Sequence, residues 1–208
     1  MERFTGQRNL YVVGQYKQAI VDMLYRDKDF QLAVLPKTLR EGLQKNIDEN
    51  GEDSVDYESY FDEYVYDYAF SEDTASESKV YACIDITIPY ADGTTFKDLY
   101  IYAYVFAPKN FVKWNRSDKE ERAIRRTLES RGYCGNKVDM ITDIIDRHLN
   151  GLSGMTIGKL TYAPRDAMTI FNAQQGYYGK LLTYFGSDFA TLSPSAIRSD
   201  YKDGELDV

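Results

Sequence analysis

The side chains best suited to nucleophilic chemistry are Cys134 and His148, the chain's one histidine. A thiol beside an imidazole becomes a nucleophile when a third group orients the base. No residue pattern marks such a group, and His148 follows Ile144 and Ile145 on the apolar stripe of a predicted helix. We interpret His148 as a core or helix C-terminal residue, where a cation also suits the helix dipole. A hydrolase that uses Cys134 and His148 is one hypothesis for the function, and the sequence supports it less than the two that follow below.

Carboxylates accumulate between Lys45 and Lys79, a stretch with twelve acidic residues and no basic one. A two-metal site needs carboxylates on rigid neighbouring elements, yet much of this stretch reads as the solvated loops Asp48–Ser59 and Ser71–Ser78. The spacings match neither a calcium loop nor, at Gly151–Lys159, a phosphate-binding loop. No second histidine or cysteine stands at zinc-ligand spacing. The sequence therefore predicts no catalytic residue, no metal site and no cofactor.

Length and charge narrow the class of protein. The 208 residues suffice for one domain with its own core. The formal net charge of -8 argues against a protein that coats duplex DNA, although DNA can still slide past such a surface. Neither a signal-peptide pattern nor an apolar run near the roughly 20 residues of a membrane span is present. We therefore predict a soluble protein without a membrane partner. Cys83 lies within an apolar strand, and we interpret it as a buried small hydrophobe.

Two neighbouring strands with almost no solvent-facing position form the predicted centre of the fold. They are Val80–Pro89 and Phe96–Phe106, joined through Ala91-Asp92-Gly93-Thr94. In the second strand, one face is aliphatic and the other aromatic because the side chains alternate. The aliphatic set is Leu99, Ile101, Ala103 and Val105, and the aromatic set is Tyr100, Tyr102, Tyr104 and Phe106. Helices should cover the aliphatic face, while the aromatic face needs a second internal layer or a neighbouring subunit.

The remaining elements flank this strand pair. Amphipathic spacing and caps predict helices at Gln15–Arg26, Pro36–Ile47, near Asp118 to Gly132, and Asn136–Asn150. Alternation predicts further strands at 64–70, Met155–Tyr162 and Tyr177–Phe185. This order favours an α+β fold, with an antiparallel or mixed sheet built from hairpins and helices packed on one face. We predict one domain over residues 1–189 with an acidic insert at about 48–78, and a flexible acidic tail over 190–208.

Three segments of the last third resemble the C-terminal half of small neck and tail proteins of tailed bacteriophages. They are Ile144–Asn150, Gly158-Lys159-Leu160 and Tyr177–Tyr184, of which the last opens with Tyr-Tyr-Gly. The order of elements over Gln15–Phe189 is also similar to that of tail terminator and tail completion proteins. The acidic insert and the Pro36–Ile47 helix depart from that compact pattern.

The resemblance implies a structural, non-enzymatic virion protein of the head-to-tail junction. Such a tail terminator or neck protein forms a ring that caps the tail tube and joins it to the head. The implied partners are further copies of the chain, the tail tube, neck or connector proteins, and DNA that passes through the channel without specific binding. Assembly would take place in the host cytoplasm.

Ring closure needs two different patches that meet head to tail. We expect the interface residues of one patch to be Tyr100, Tyr102, Tyr104, Phe106 and Trp114. Because carboxylates let DNA slide without adhering, we expect the channel-facing residues to be Asp62, Glu63 and Asp67. The second hypothesis is a monomeric acidic binding or inhibitor protein that mimics nucleic-acid charge, and the oligomeric state separates the two.

Overall fold

The computed structural model describes residues 9–68, 79–87, 91–92, 95–96, 98–153, 159–163 and 176–187. Within these ranges the helices are α1 (Asn9–Arg26), α2 (Lys28–Val34), α3 (Lys37–Asn50), α4 (Glu58–Phe61), α5 (Lys109–Val112), α6 (Lys119–Ser130) and α7 (Lys137–Leu149). The strands are β1 (Val65–Tyr66), β2 (Tyr81–Thr87), β3 (Ala91–Asp92), β4 (Thr95–Phe96), β5 (Asp98–Pro108), β6 (Leu160–Tyr162) and β7 (Tyr177–Ser187). The predicted α+β fold is confirmed.

Five strands form one mixed sheet in the order β1-β2-β5-β7-β6. The β1 strand runs parallel to β2, and the other neighbours are antiparallel. The predicted central hairpin is the β2–β5 pair, in which Tyr81 pairs with Phe106 and Thr87 with Tyr100. The short β3–β4 pair forms a separate two-stranded sheet between these two strands in the chain.

The central strand β5 is covered on its aliphatic face as the sequence predicts. Its side chains Leu99, Ile101, Ala103 and Val105 are fully buried. Helix α7 packs over β5 and β7, and α1 packs against β2. Apolar side chains of α1, α2 and α7 join the aliphatic face in one continuous core. Burial of this face is the main apolar contribution to the stability of the fold.

Helices α6 and α7 begin close to the predicted positions. Asn136 caps α7 in a reciprocal box: its side chain accepts from Asp139 N at 3.0 Å, and its own N–H donates to Asp139 Oδ2 at 2.9 Å. Helix α6 is capped by Asp118, whose Oδ1 accepts from Glu120 N and Glu121 N. The sequence Ser117-Asp118-Lys119-Glu120 matches a capping box in which Ser117 would be the cap. The cap lies one residue later, because the Asp118 carboxylate satisfies the free backbone donors.

The N-terminal helices extend beyond the sequence prediction. The predicted helix Gln15–Arg26 begins earlier, at Asn9, and the predicted helix from Pro36 is α3, with Pro36 as its N-cap residue. Helix α2 was not predicted. It buries Phe30 and Val34 between α1 and α7, and its 7 residues are fewer than the roughly 11 over which a helical pattern becomes diagnostic.

The acidic insert is more structured than predicted. The interpretation of Asp48–Ser59 as a loop is wrong in part, because it includes the end of α3, a 3₁₀ turn at Glu52–Ser54 and the start of α4. Apolar side chains anchor it: Tyr57 and Phe61 are buried, and the Phe61 ring stacks on Tyr25 with centroids 4.4 Å apart. Within the described residues, the predicted strand at 64–70 is confirmed only over β1 (Val65–Tyr66), and residues 69–70 lie outside them.

Some predictions lie outside the described residues. They are the loop Ser71–Ser78, the end of the predicted strand Val80–Pro89, positions 93–94 of the predicted turn, the start of the predicted strand Met155–Tyr162 and the tail 190–208. Among the described helices, none combines the length and apolarity that a membrane span requires.

Candidate assembly surface

One face of the sheet carries a layer of aromatic side chains, opposite to the face that the helices cover. Strand alternation and register place Tyr104 of β5 beside Cys83 of β2, and Tyr100 beside Phe185 of β7. We call this layer the aromatic face, and its members are Tyr66, Tyr81, Tyr100, Tyr102, Tyr104, Phe106, Tyr177 and Phe185. They come from four adjacent strands.

The rings of the aromatic face contact one another across and along the strands. The Tyr102 centroid lies 6.3 Å from that of Tyr100 and 6.4 Å from that of Tyr104. Across strands, Tyr100 lies 5.2 Å from Phe185. Such contacts between side chains that already share a face hold the rings in a fixed arrangement. The rings of the aromatic face are therefore held in place by one another.

The two ends of the aromatic face differ in exposure. At one end Tyr81 stacks on Phe106 at 5.1 Å, and both are buried, with 2% and 1% of their surface exposed. They form a cluster with Cys83, against which Tyr66, Tyr104 and Tyr177 pack, and no helical residue belongs to this cluster in the described part of the chain. At the other end Tyr100 and Phe185 are half-buried.

Three of the five predicted interface residues lie on accessible surface. Tyr100, Tyr102 and Tyr104 are half-buried on the aromatic face, so each ring keeps part of its surface accessible. Phe106 is on the same face but is covered within the chain, so it supports the surface and adds little contact area. Trp114 belongs to the main core instead, where the Lys137 ammonium lies 5.3 Å from the centroid of its ring. The prediction that Trp114 lies in the interface needs correction, because only 8% of its surface is exposed.

The predicted channel-facing carboxylates lie beside β1, at one edge of the sheet. Asp62, Glu63 and Asp67 are all exposed. Glu63 is ion-paired with Lys79, and its backbone oxygen accepts from the Tyr66 hydroxyl at 3.4 Å. The structure thus places these carboxylates next to the aromatic face, and their orientation towards a channel stays a prediction.

An ion pair that the sequence did not indicate lies at the same edge. Lys17 Nζ donates to Asp85 Oδ1 at 2.9 Å and to the backbone oxygen of Asp67 at 2.6 Å. Asp85 Oδ1 also accepts the N–H of Ile86 at 2.9 Å. The one indication of this ion pair in the sequence was Asp85, a single carboxylate within an apolar strand.

The candidate nucleophile and base have separate surroundings. Cys134 is exposed in the turn before α7. His148 Nε2 lies 2.7 Å from Asp27 Oδ2, and no hydrogen bond joins the imidazole to Cys134 among the described residues. The interpretation of His148 as a helix C-terminal residue is confirmed, since it occupies the last turn of α7. In the described residues no three side chains of His, Cys, Asp or Glu converge as metal ligands.

Comparison with known proteins gives one match. The family model of YomW matches residues 18–185, which includes every described helix and strand from α2 to β6, the second half of α1 and most of β7. No curated protein and no solved structure matches the chain.

Proposed function

Since the chain belongs to the phage-associated YomW family, we propose that it is a structural protein of the virion at the head-to-tail junction. In this role copies of the chain form a ring that caps the tail tube and joins it to the head. The phage association of the family and the resemblance to tail terminator and neck proteins both support this class. The protein acts by assembly and has no catalytic role.

The single observation that carries the proposal is the aromatic face. Contiguous apolar patches on the surface of a soluble protein commonly mark contacts with a partner. Tyrosine suits such a contact because its ring is apolar and its hydroxyl tolerates water. Tyr100, Tyr102 and Tyr104 stand in a row on the central strand, so a neighbouring copy that covers them would bury the middle of this surface.

The charge of the chain supports passage of DNA through the ring. A net charge of -8 disfavours tight binding to phosphates. In this proposal Asp62, Glu63 and Asp67 border the channel, and DNA passes without specific binding. The other contacts of the ring are to the tail tube and to neck or connector proteins.

The oligomeric state tests the proposal. We would measure the mass of the purified protein by size-exclusion chromatography with light scattering over a wide range of concentration, and image any large species by negative stain. A closed ring with a central hole is the expected result. A monomer at every concentration would contradict it.

A pair of variants tests the aromatic face itself. Tyr102→Ser removes one half-buried ring from the centre of the row and should lower the fraction of assembled protein. The matched control is Tyr162→Ser, which removes a half-buried tyrosine that packs with Tyr184 in the main core. Circular dichroism melting checks that both variants are folded. Equal assembly by both variants would exclude the aromatic face from the contact.

A second candidate function is a monomeric acidic binding protein. The observation in its favour is the run of exposed carboxylates in the insert, among them Asp53, Asp56 and Glu58. A charge mimic needs these groups free, whereas a ring needs self-association. A strict monomer that binds a basic nucleic-acid-binding protein in a salt-dependent manner would favour this candidate.

A further inference from the structure

We propose that the exposed face of α6 in one copy docks against the acidic insert of the next copy, so that the subunits associate head to tail. The inference rests on the proposed function, because it names the surfaces that orient neighbouring subunits in the ring. It is carried by the complementary charge of two surfaces on the same chain.

The first surface is a basic stripe along α6. Lys119, Arg122 and Arg126 stand at positions i, i+3 and i+7, which places them on one side of the helix. All three are exposed, and none makes an ion pair with another described residue. Lys113 and Arg116, just before the helix, are also exposed and have no such pair. We call these five residues the basic stripe.

The acidic residues of α6 do not neutralise the basic stripe. Glu120 pairs with Arg40 of α3 at 2.6 Å, and Glu121 pairs with Lys137 of α7 at 2.7 Å. Glu129 pairs with Arg125 at 2.7 Å. These carboxylates are therefore satisfied by other cations, and the outward side of α6 carries uncompensated positive charge. A shallow groove of about 590 Å³ lies beside it, between α3 and α6, so the surface is concave next to the charged side chains.

The second surface is the acidic insert around α4. Asp56 and Glu58 are exposed and form no ion pair with the described residues, while Asp53 pairs only with Arg26, at 3.5 Å. The backbone that carries them is anchored, since Tyr57 between them is buried and Arg26 lies 5.2 Å over its ring. Carboxylates on anchored backbone are already positioned for a partner, which reduces the entropy lost on association.

Further copies of the chain satisfy both surfaces. A twofold dimer would have to set each basic stripe against the partner's acidic insert within one interface, so its growth would stop at two copies. A head-to-tail contact instead sets the basic stripe against the acidic insert at every junction. Charge complementarity fixes orientation and register more than it adds affinity. The aromatic face would contribute the apolar area, and the charged surfaces would select the correct neighbour.

Nucleic acid is the competing ligand for the basic stripe. Five cations on a chain with a net charge of -8 give a weak electrostatic attraction for phosphates. The acidic insert offers a closer match, because it bears many carboxylates and no basic residue. The experiment below includes DNA as a separate arm.

Complementary charge reversal tests the inference. The first variant carries Arg122→Glu and Arg126→Glu, and the second carries Asp56→Lys and Glu58→Lys. Each alone sets like charges at every junction and should lose the high-mass species in light scattering. An equal mixture pairs each altered surface with its altered partner, so it should recover that species as alternating rings. The control, Lys45→Glu with Lys159→Glu, changes the net charge as much as the first variant and should assemble normally.

The outcomes separate this inference from the proposed function. If the wild-type chain assembles and both charge variants also assemble, the inference is overturned and the ring stands. Loss of assembly by each variant without recovery in the mixture also overturns it, provided that both variants melt like the wild type. A wild-type chain that stays monomeric overturns both ideas. If the first variant loses binding to a short DNA duplex but keeps its assembly, the stripe is a nucleic-acid site and the inference fails.

Discussion

The Nε2 atom of His148 lies 2.7 Å from Oδ2 of Asp27, while Oδ1 of the same carboxylate accepts the N–H of Phe30 at 2.6 Å. Asp27 therefore caps the N-terminus of α2 and holds the C-terminal turn of α7 at the same time. Both contacts suit the helix dipoles, since an anion lies at one helix start and an imidazole at the other helix end. The chain's one histidine thus has a structural partner.

Asp27→Ala should destabilise the protein more than Asp27→Asn. Asparagine retains a side-chain oxygen that can cap α2, whereas alanine removes the cap and the partner of His148 together. Loss of an N-cap alone costs about 1 kcal/mol. Denaturant unfolding of both variants measures the difference. Equal destabilisation by the two substitutions would show that the cap contributes nothing.

The two cysteines should differ in reactivity. Cys134 is exposed, whereas Cys83 is fully buried, and burial raises the pKa of its thiol to about 12. Because the thiolate is the reactive form, a thiol reagent at neutral pH should modify one site per native chain. Unfolding should release the second. Cys134→Ala should remove the fast reaction and leave assembly unchanged, and any loss of assembly would revive a role for this thiol.

Stability should fall at alkaline pH. Burial raises the pKa of Cys83 to about 12, and burial with the Glu52 carboxylate raises the pKa of Tyr57 to about 12. The unfolded chain ionises these groups near their ordinary pKa values of 9.0 and 10.0, while the folded chain keeps them neutral. The free energy of unfolding should therefore decline from pH 9.0 towards about pH 12.

The contribution of Cys83 to that decline can be isolated. Cys83→Ala should flatten the first part of the decline, since the thiol that ionises in the unfolded chain is gone. Urea unfolding at a series of pH values measures the slope. An unchanged slope in this variant would mean that Cys83 is not protected from ionisation in the folded protein.

The hydroxyl of Tyr184 should stabilise the packing of α7 on β7. It donates to Asp146 Oδ1 at 2.9 Å, and burial with this carboxylate raises the pKa of the phenol well above its usual range. A hydrogen bond to a charged group contributes about 1.5 to 3 kcal/mol. Tyr184→Phe should lower the free energy of unfolding by an amount near the lower figure, because Asp146 is half-exposed and can bind water. Tyr162→Phe on the adjacent strand is the control and should change little.

Alternation in the sequence was enough to predict the centre of the fold. In β5 the two side-chain sets have different chemistry, so the period of two predicted both the aliphatic face and the aromatic face. The cap and apolar spacing of α7 were equally visible. Short elements were not: α2 and α4 are defined by Phe30, Val34 and Phe61, whose packing partners lie on other helices. A few residues cannot show a helical period on their own.

The candidate surface was predicted in part. The row Tyr100, Tyr102 and Tyr104 followed from strand alternation, but Trp114 was assigned on residue type alone and lies in the core. The position of Phe185 beside Tyr100 depends on the pairing of β5 with β7, which sequence reasoning could not supply. The uncompensated charge of α6 was also hidden, because it depends on where Glu120 and Glu121 point.

The pairing of β5 has a consequence for synthesis. The central strand β5 pairs on one side with β2, which is close in the chain. On the other side it pairs with the distant strand β7, where Pro108 is opposite Tyr177 and Asp98 is opposite Ser187. Sheet pairings between distant segments form late in folding. Phe185 and Tyr177 therefore complete the aromatic face only when synthesis has passed Ser187. An unfinished chain lacks that surface, so truncated products should be unable to enter the proposed ring.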